Sequence, residues 1–269
     1  MTANDHRPMG ERRFGRWNTL GTQTLALREI RRFTSVWTQT LAAPVATALL
    51  FMLIFVLALG DRRGDVMGMP FAQFLAPGIV MMTVLQNAFA NTSSSLVISK
   101  VQGNIVDTLM PPLSASEIML GYVAGGVARG ALVAVAVALV VFPFAGVGIA
   151  NPFWALIYVL LGATMMSLIG VLAGVYAVKF DQMAAITNFI VTPLSFLSGT
   201  FYSLETLPPA MSVISHANPV FYVIDGFRYG ILGQSDSSPW LGALVVLATC
   251  SVLWVICYRF FATGYRLKS

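Results

Sequence analysis

Charge is what this chain has least of. Asp, Glu, Lys and Arg make up 10% of its 269 residues, against roughly 25% in a soluble domain. So few charges cannot cover the surface of a water-soluble globule of this length, and with 57% apolar residues the composition fits lipid as the main solvent. Histidine is scarcer still. His6 and His216 are the whole complement, and neither has metal-ligand spacing to another ligand. There is no GxxxxGK[ST] phosphate loop, no HExxH and no close pair of acids in a segment expected to be cytoplasmic. The serine-rich Asn91-Thr92-Ser93-Ser94-Ser95 has no histidine in its own apolar run to activate a hydroxyl. The chain therefore reads as a non-enzyme without a metal or cofactor site of its own. Cys250 and Cys257 share one apolar run, at a separation of roughly 10 Å along a helix, too far for a disulfide. They read as small apolar side chains and leave the compartment open. The net charge of +5 sits at the ends of apolar runs rather than interleaved with aromatics, which excludes a nucleic-acid face.

What is present is length of apolar run. Six stretches reach the ~20 residues a membrane-spanning helix needs: residues 36–59, 71–96, 118–144, 153–178, 183–204 and 240–261. The opening residues are mostly polar and the first run is too long for a signal core, so no cleavable signal is expected. No composition break divides the chain; the reading is a tail at 1–16 and a single membrane domain at 17–269. Basic residues set the orientation, because Lys and Arg are retained on the cytoplasmic side. Twelve lie in the N-terminal segment, the even-numbered loops (Lys100, Lys179) and the C-terminus; three, Arg62, Arg63 and Arg228, lie opposite. Both ends are expected in the cytoplasm.

Two segments are neither spans nor plain loops. In 17–33, Leu20, Leu27, Ile30 and Phe33 form an apolar arc with Arg28 and Arg32 roughly opposite, a pattern that suits a short helix at the membrane interface. A plain cytoplasmic tail is the alternative. In 205–239, Pro208-Pro209 and Asn218-Pro219 interrupt residues too apolar for a solvated loop and too broken for a span. Two short helices dipping into the outer leaflet and returning would fit, provided protein buries their backbone ends.

Polar residues inside the runs are the candidate pathway. Asn87, Asn91 and Ser94 or Ser95 recur at helical spacing in the second run; Asn188, Thr192 and Ser195 do so in the fifth around Pro193, which must interrupt a backbone hydrogen bond. Each stripe either lines a transport route or joins helices through hydrogen bonds. Arg129 is placed near the middle of the third run. An unpaired arginine there costs at least about 2.5 kcal/mol, so it is expected to face the interior. Its role is either structural or that of a counter-ion on an anionic substrate route. The pairs Gly121/Gly125, Gly126/Gly130 and Gly170/Gly174 permit close helix packing. The segment 100–117 joins a short helical stretch from Asn104 through Asp107 and Thr108, a stop at Pro111-Pro112, and Ser114 three residues before Glu117 in a capping-box pattern that also takes in Ser116. It reads as a compact surface element, either a lever for a cytoplasmic partner or a structured loop.

These residues resemble a known family. The blocks Phe33-Thr34-Ser35-Val36-Trp37-Thr38-Gln39-Thr40-Leu41, Phe74-Leu75-Ala76-Pro77-Gly78, Asp107 to Glu117 and Gly121-Tyr122-Val123-Ala124-Gly125-Gly126-Val127-Ala128-Arg129-Gly130 are similar to those of ABC-2 type permeases, the membrane subunits of bacterial ATP-binding cassette exporters. Ser198-Gly199-Thr200-Phe201-Tyr202-Ser203, Asn218-Pro219 and Gly226-Phe227-Arg228-Tyr229-Gly230 continue the likeness. The resemblance implies an all-α membrane protein of six transmembrane helices. It implies an N-terminal elbow helix at 17–33 carrying Arg28, Arg31 and Arg32, and an external re-entrant hairpin at 205–239. It also implies a coupling segment at 100–117, in which Asn104, Asp107, Thr108, Pro111, Pro112, Ser114 and Ser116 would meet a nucleotide-binding subunit. Two permeases and two ATPases would assemble in the bacterial inner membrane, with ATP and Mg held by the partner subunit. Within the family it resembles the nodulation-factor, polysaccharide and drug-export branch, so a lipid, glycolipid or hydrophobic drug is the implied class of cargo. A secondary transporter, which would need a midplane carboxylate or cation site, and a membrane-embedded enzyme are the competing readings.

Overall fold

The computed structural model describes residues 17–58, the helical backbone of 59–63, and residues 65–203, 213 and 215–267. The tail at 1–16, Lys268 and most of the first half of the 205–239 segment, with Pro208 and Pro209, lie outside the described residues. The described residues are helical throughout apart from turns and one isolated bridge between Val66 and Met69. Helix α1 runs Thr19–Thr34, and a π-helical turn at Thr38–Ala42 leads into α2, Ala43–Arg63. Then follow α3 (Phe71–Val101), α4 (Ile105–Leu109), α5 (Ala115–Ala145) and α6 (Pro152–Tyr176). A short α7 (Phe180–Ile186), a second π turn (Thr187–Val191) and α8 (Thr192–Phe196) precede α9 (Pro219–Leu232) and α10 (Pro239–Thr263).

Helix ends follow local chemistry. The Asn18 side chain caps α1 by accepting from the Gly21 N–H at 2.9 Å. Proline occupies the first turn of α6, α9 and α10, where its missing N–H has no intrahelical partner to lose. Gly146, Gly233 and Gly264 end α5, α9 and α10 at positive φ. Between α1 and α2, Thr40 Oγ1 donates to the Phe33 carbonyl at 2.9 Å and closes the corner.

Among the described residues, five helices are long and apolar enough to cross a membrane. The expected fifth run, 183–204, is not one of them. Pro193 has no N–H to give to the turn before it, and the chain answers with the π turn Thr187–Val191 and leaves the helix after Phe196. The helical part, 180–196, is about 25 Å long. Another expected boundary also moves: α3 continues through Val101, so Lys100 belongs to its last turn rather than to the following segment. There its ammonium caps the end of α6 by donating to the carbonyls of Gly174 (3.2 Å), Val175 (2.7 Å) and Ala177 (2.9 Å).

Helix α3 is the centre of the bundle, packed most extensively on α6 and α5. It has the lowest hydropathy of the five long helices and the deepest burial, 83% of its apolar window against 11% for the first. In lipid this inversion is expected, because a helix carrying hydroxyls and amides needs protein around it. The glycine pairs make the approach possible. A Cβ at Gly121 or Gly125 would run into Leu25 or Glu29 of α1. One at Gly126 or Gly130 would meet Ser167 or Ala163 of α6, and one at Gly170 or Gly174 would meet Thr92 or Leu96 of α3. Gly125→Leu is therefore expected to cost about 1–3 kcal/mol by overpacking, read as a lowered melting temperature of the purified protein. Gly148→Ala, which enters open space, is expected to leave it unchanged.

Candidate functional site: the α1–α4 junction and a midplane cleft

Helix α1 turns only the Phe33 edge of its apolar arc toward the bundle. Leu20 and Leu27 point outward, while Leu25, Glu29 and Phe33 are buried. Arg28 and Arg32, expected roughly opposite the arc, reach along the protein surface while staying partly exposed. Glu29, with its side chain 1% exposed, holds them: its carboxylate lies 3.2 Å from both the Arg28 and the Arg32 guanidinium and accepts from Ser95 Oγ of α3 at 2.9 Å. Arg32 goes on to the Asn91 carbonyl (2.7 Å), Asn91 Oδ1 (3.1 Å) and Ser94 Oγ (3.3 Å). Arg28 donates to Thr108 Oγ1 of α4 (3.0 Å) and Tyr122 of α5 (3.4 Å). Burial opposes the charge on Arg28, yet Tyr122 and Glu29 together hold its pKa above the ordinary value. Arg31, on the outward side, is exposed.

The segment after α3 is ordered by the same junction. Asn104 precedes α4, whose inner side is Ile105 and Thr108 and whose outer side is Val106, Asp107 and Met110, the last 78% exposed. Pro111 and Pro112 end the turn and, with Asp107 and α1, border an apolar cleft of about 320 Å³. Ser114 starts α5 through the expected capping box: its Oγ accepts from the Glu117 N–H (3.4 Å) and its own N–H donates to Glu117 Oε2 (2.6 Å). Glu117 Oε1 also accepts from the Asn18 N–H at 2.5 Å, so one buried acid joins the starts of α1 and α5. Ser116 is half-buried in that first turn. Glu29 and Tyr122 were not among the sequence candidates. A single acid inside a basic helix was the only available signal for Glu29.

The polar stripes divide. Asn91, Ser94 and Ser95 are committed to α1, whereas Asn87 accepts from Arg129 at 3.0 Å and donates to the Thr83 carbonyl. Arg129 and Asn87 sit near the middles of α5 and α3. They border an open cleft of about 440 Å³ whose wall also includes Gln86, Thr192, Phe51 and Phe196. Thr192 is therefore the one member of the fifth-run stripe that lines this cleft; Asn188 is exposed and does not line it, and Ser195 back-bonds to the Val191 carbonyl at 2.8 Å. At the other end of the bundle Arg228, counted from sequence as an external charge, is fully buried. It donates to the Gly199 carbonyl (2.6 Å), lies 3.7 Å from Asp225 and stacks over Phe74 at 4.0 Å. Asp225 in turn accepts from the N–H groups of Asp236 and Ser237 and from Ser237 Oγ, fixing the link from α9 to α10.

Residues 21–232, from the buried face of α1 through the end of α9, match the ABC-2 type transporter family. The chain belongs to that family. It is 40% identical over 244 residues to the inner membrane transport permease YadH of Escherichia coli strain K12, covering 90% of this chain and 94% of that one. It is 27% identical over 226 residues to nodulation protein J of Neorhizobium galegae (80% of this chain, 84% of that one). Nodulation protein J of Sinorhizobium fredii is 26% identical over 211 residues, 78% of each chain. The protein is thus an ABC-2 permease, the membrane subunit of an ABC transporter in a bacterial inner membrane, and permeases of this type work with a nucleotide-binding ATPase subunit.

The junction at Glu29 generates a test of its own. Glu29→Ala would leave two guanidiniums and Ser95 without their shared acceptor, a loss of about 3 kcal/mol. A drop of several degrees in the melting temperature of the purified permease is expected, with Arg31→Ala near wild type.

Proposed function

We propose that two copies of this permease and two ATPase subunits form an exporter for an amphipathic or lipid-like substrate, with ATP and Mg held on the ATPase chains. The observation that carries this reading is the hydrogen bond from Arg28 to Thr108. It ties the short, outward-facing α4 to the α1 network that ends on Asn91 in the centre of the bundle. Helix α4 then serves as the coupling helix, with Asn104, Asp107, Met110 and the Pro111-Pro112 turn offered to the ATPase and Thr108, Ser114 and Ser116 holding it in place. Helix α1 serves as the elbow, laying Leu20 and Leu27 on the lipid interface. Residues 180–196 and the turns after them complete a sixth crossing, which returns both ends to the cytoplasm as the distribution of basic residues favours. Helix α9 is the inner limb of an external re-entrant hairpin, buried in protein from Val220 through Arg228. ATP-driven closure of the ATPases would move α4, and α1 would carry that movement to α3. The nodulation-factor, polysaccharide and drug-export branch that the sequence resembles supports an amphipathic cargo.

A secondary transporter is disfavoured because Glu29, Glu117 and Asp225, buried acids of the described chain, lie in α1, at the start of α5 and in α9, none in the middle of a long helix. Co-expression with candidate ATPase subunits tests the reading. Asp107→Lys and Met110→Glu are expected to abolish co-purification or to lower permease-dependent ATP hydrolysis at least about tenfold, with Gly148→Ala unaffected. Failure to capture any ATPase, or full hydrolysis by both α4 variants, would overturn it.

A further inference from the structure

We propose that the midplane cleft between α2, α3, α5 and α8 takes the anionic headgroup of an amphipathic substrate, a phosphate or carboxylate, with Arg129 as its counter-ion. This deepens the transport reading above and rests on it.

The two arginines inside the bundle, half-buried Arg129 and fully buried Arg228, are built differently. Arg228 is closed in by a carbonyl, a carboxylate and an aromatic face. Its Nε and Nη1 lack hydrogen-bond partners, but the carboxylate of Asp225 supplies a counter-charge. Arg129 has one acceptor, Asn87 Oδ1 at 3.0 Å. Its Nε is buried without a partner, and no carboxylate pairs with it among the described residues. A guanidinium carries five N–H donors in a fork suited to two oxygens of one anion. Joining α3 to α5 through a single amide oxygen uses one of them, and the side chain borders a cleft of about 440 Å³. A full charge near the middle of the bundle with no counter-charge is costly unless an anion or water supplies one.

The cleft wall has the two halves an amphipath needs. Gln86, Asn87 and Thr192 offer amides and a hydroxyl around Arg129, and Phe51 and Phe196 line the same space with rings 6.1 Å apart. The polar half can hydrogen-bond an oxyanion, and the aromatic half accepts the start of a hydrocarbon chain. A bare anion would leave that aromatic half unused, and a cationic amphipath would meet Arg129 with like charge.

The test is binding to the full-length permease alone, purified in a neutral detergent, by titration calorimetry. Three probes are compared: dodecyl phosphate, dodecyltrimethylammonium and inorganic phosphate. Dodecyl phosphate is expected to bind saturably and at least about tenfold more tightly than the other two. Arg129→Gln is expected to remove that preference. Should Arg129→Gln fail to accumulate, Gln86→Met and Thr192→Val, milder changes in the same wall, are expected to weaken dodecyl phosphate several-fold, while Arg266→Gln leaves it unchanged. Equal binding of the anionic and cationic amphiphiles, or no loss in any cleft variant, would overturn the proposal. Inorganic phosphate binding as tightly as dodecyl phosphate would overturn its amphipathic part. No ATPase subunit is present in this measurement, so its failure leaves the coupling role of α4 standing, and failure of ATPase capture leaves it readable.

Discussion

A carboxylate buried among helices must find positive charge or donors, and Glu29 finds both. Its two oxygens sit between Arg28 and Arg32 of its own helix and Ser95 of α3, and each of those arginines reaches onward to a different part of the bundle. Without the acid, two neighbouring guanidiniums would repel each other at the edge of a membrane. With it, they become rigid struts to α4 and α5 on one side and to α3 on the other. The docking of α1, the position of α4 and the satisfaction of the polar residues in the second half of α3 all depend on this one group. Gly125 is what lets Glu29 come close enough, because any side chain there would collide with it.

The same logic organises the interior. Helix α3 carries more hydroxyls and amides than any other long helix, and it sits where other helices, not lipid, surround it. Helices α2 and α10 are nearly pure hydrocarbon and sit outside. Charges follow suit: Lys100 caps α6, Arg228 is enclosed with Asp225, and Glu117 ties the starts of α1 and α5. Each is a polar group given a protein partner where water is scarce. Arg129, with one partner and open space beside it, departs from that pattern.

Much of this was legible in the residues. Long apolar runs locate α2, α3, α5, α6 and α10 within a few positions, since about 20 apolar residues have few alternatives. The Ser114/Glu117 capping box was readable because it is local, involving neighbours three apart. What escaped was non-local. A helical wheel shows that α1 has two faces but not which one meets protein, so the contacts of Arg28 and Arg32 with α3, α4 and α5 could not be read from it. Hydropathy averaged over the fifth run does not register one absent N–H at Pro193, and so a broken helix looked continuous. Arg228 was counted as a loop charge because burial depends on α9 folding inward, which no spacing rule reports. The split of Asn87 from Asn91 arises from which helix stands opposite each, and that is a property of the packed bundle.

The glycines of α5 have an outcome for how two copies of this permease could meet. Gly121 and Gly125 are filled by α1, and Gly126 and Gly130 by α6, so the smooth, small-residue faces that lock membrane helices tightly together are already occupied within one chain. The faces left outward carry bulky side chains such as Leu53, Leu57, Leu139 and Phe189. Two such surfaces meet as interdigitated side chains held apart at the backbone, without the close backbone contact of a glycine seam. A joint of that kind, were two copies to meet there, could slip and re-form in small rotameric steps.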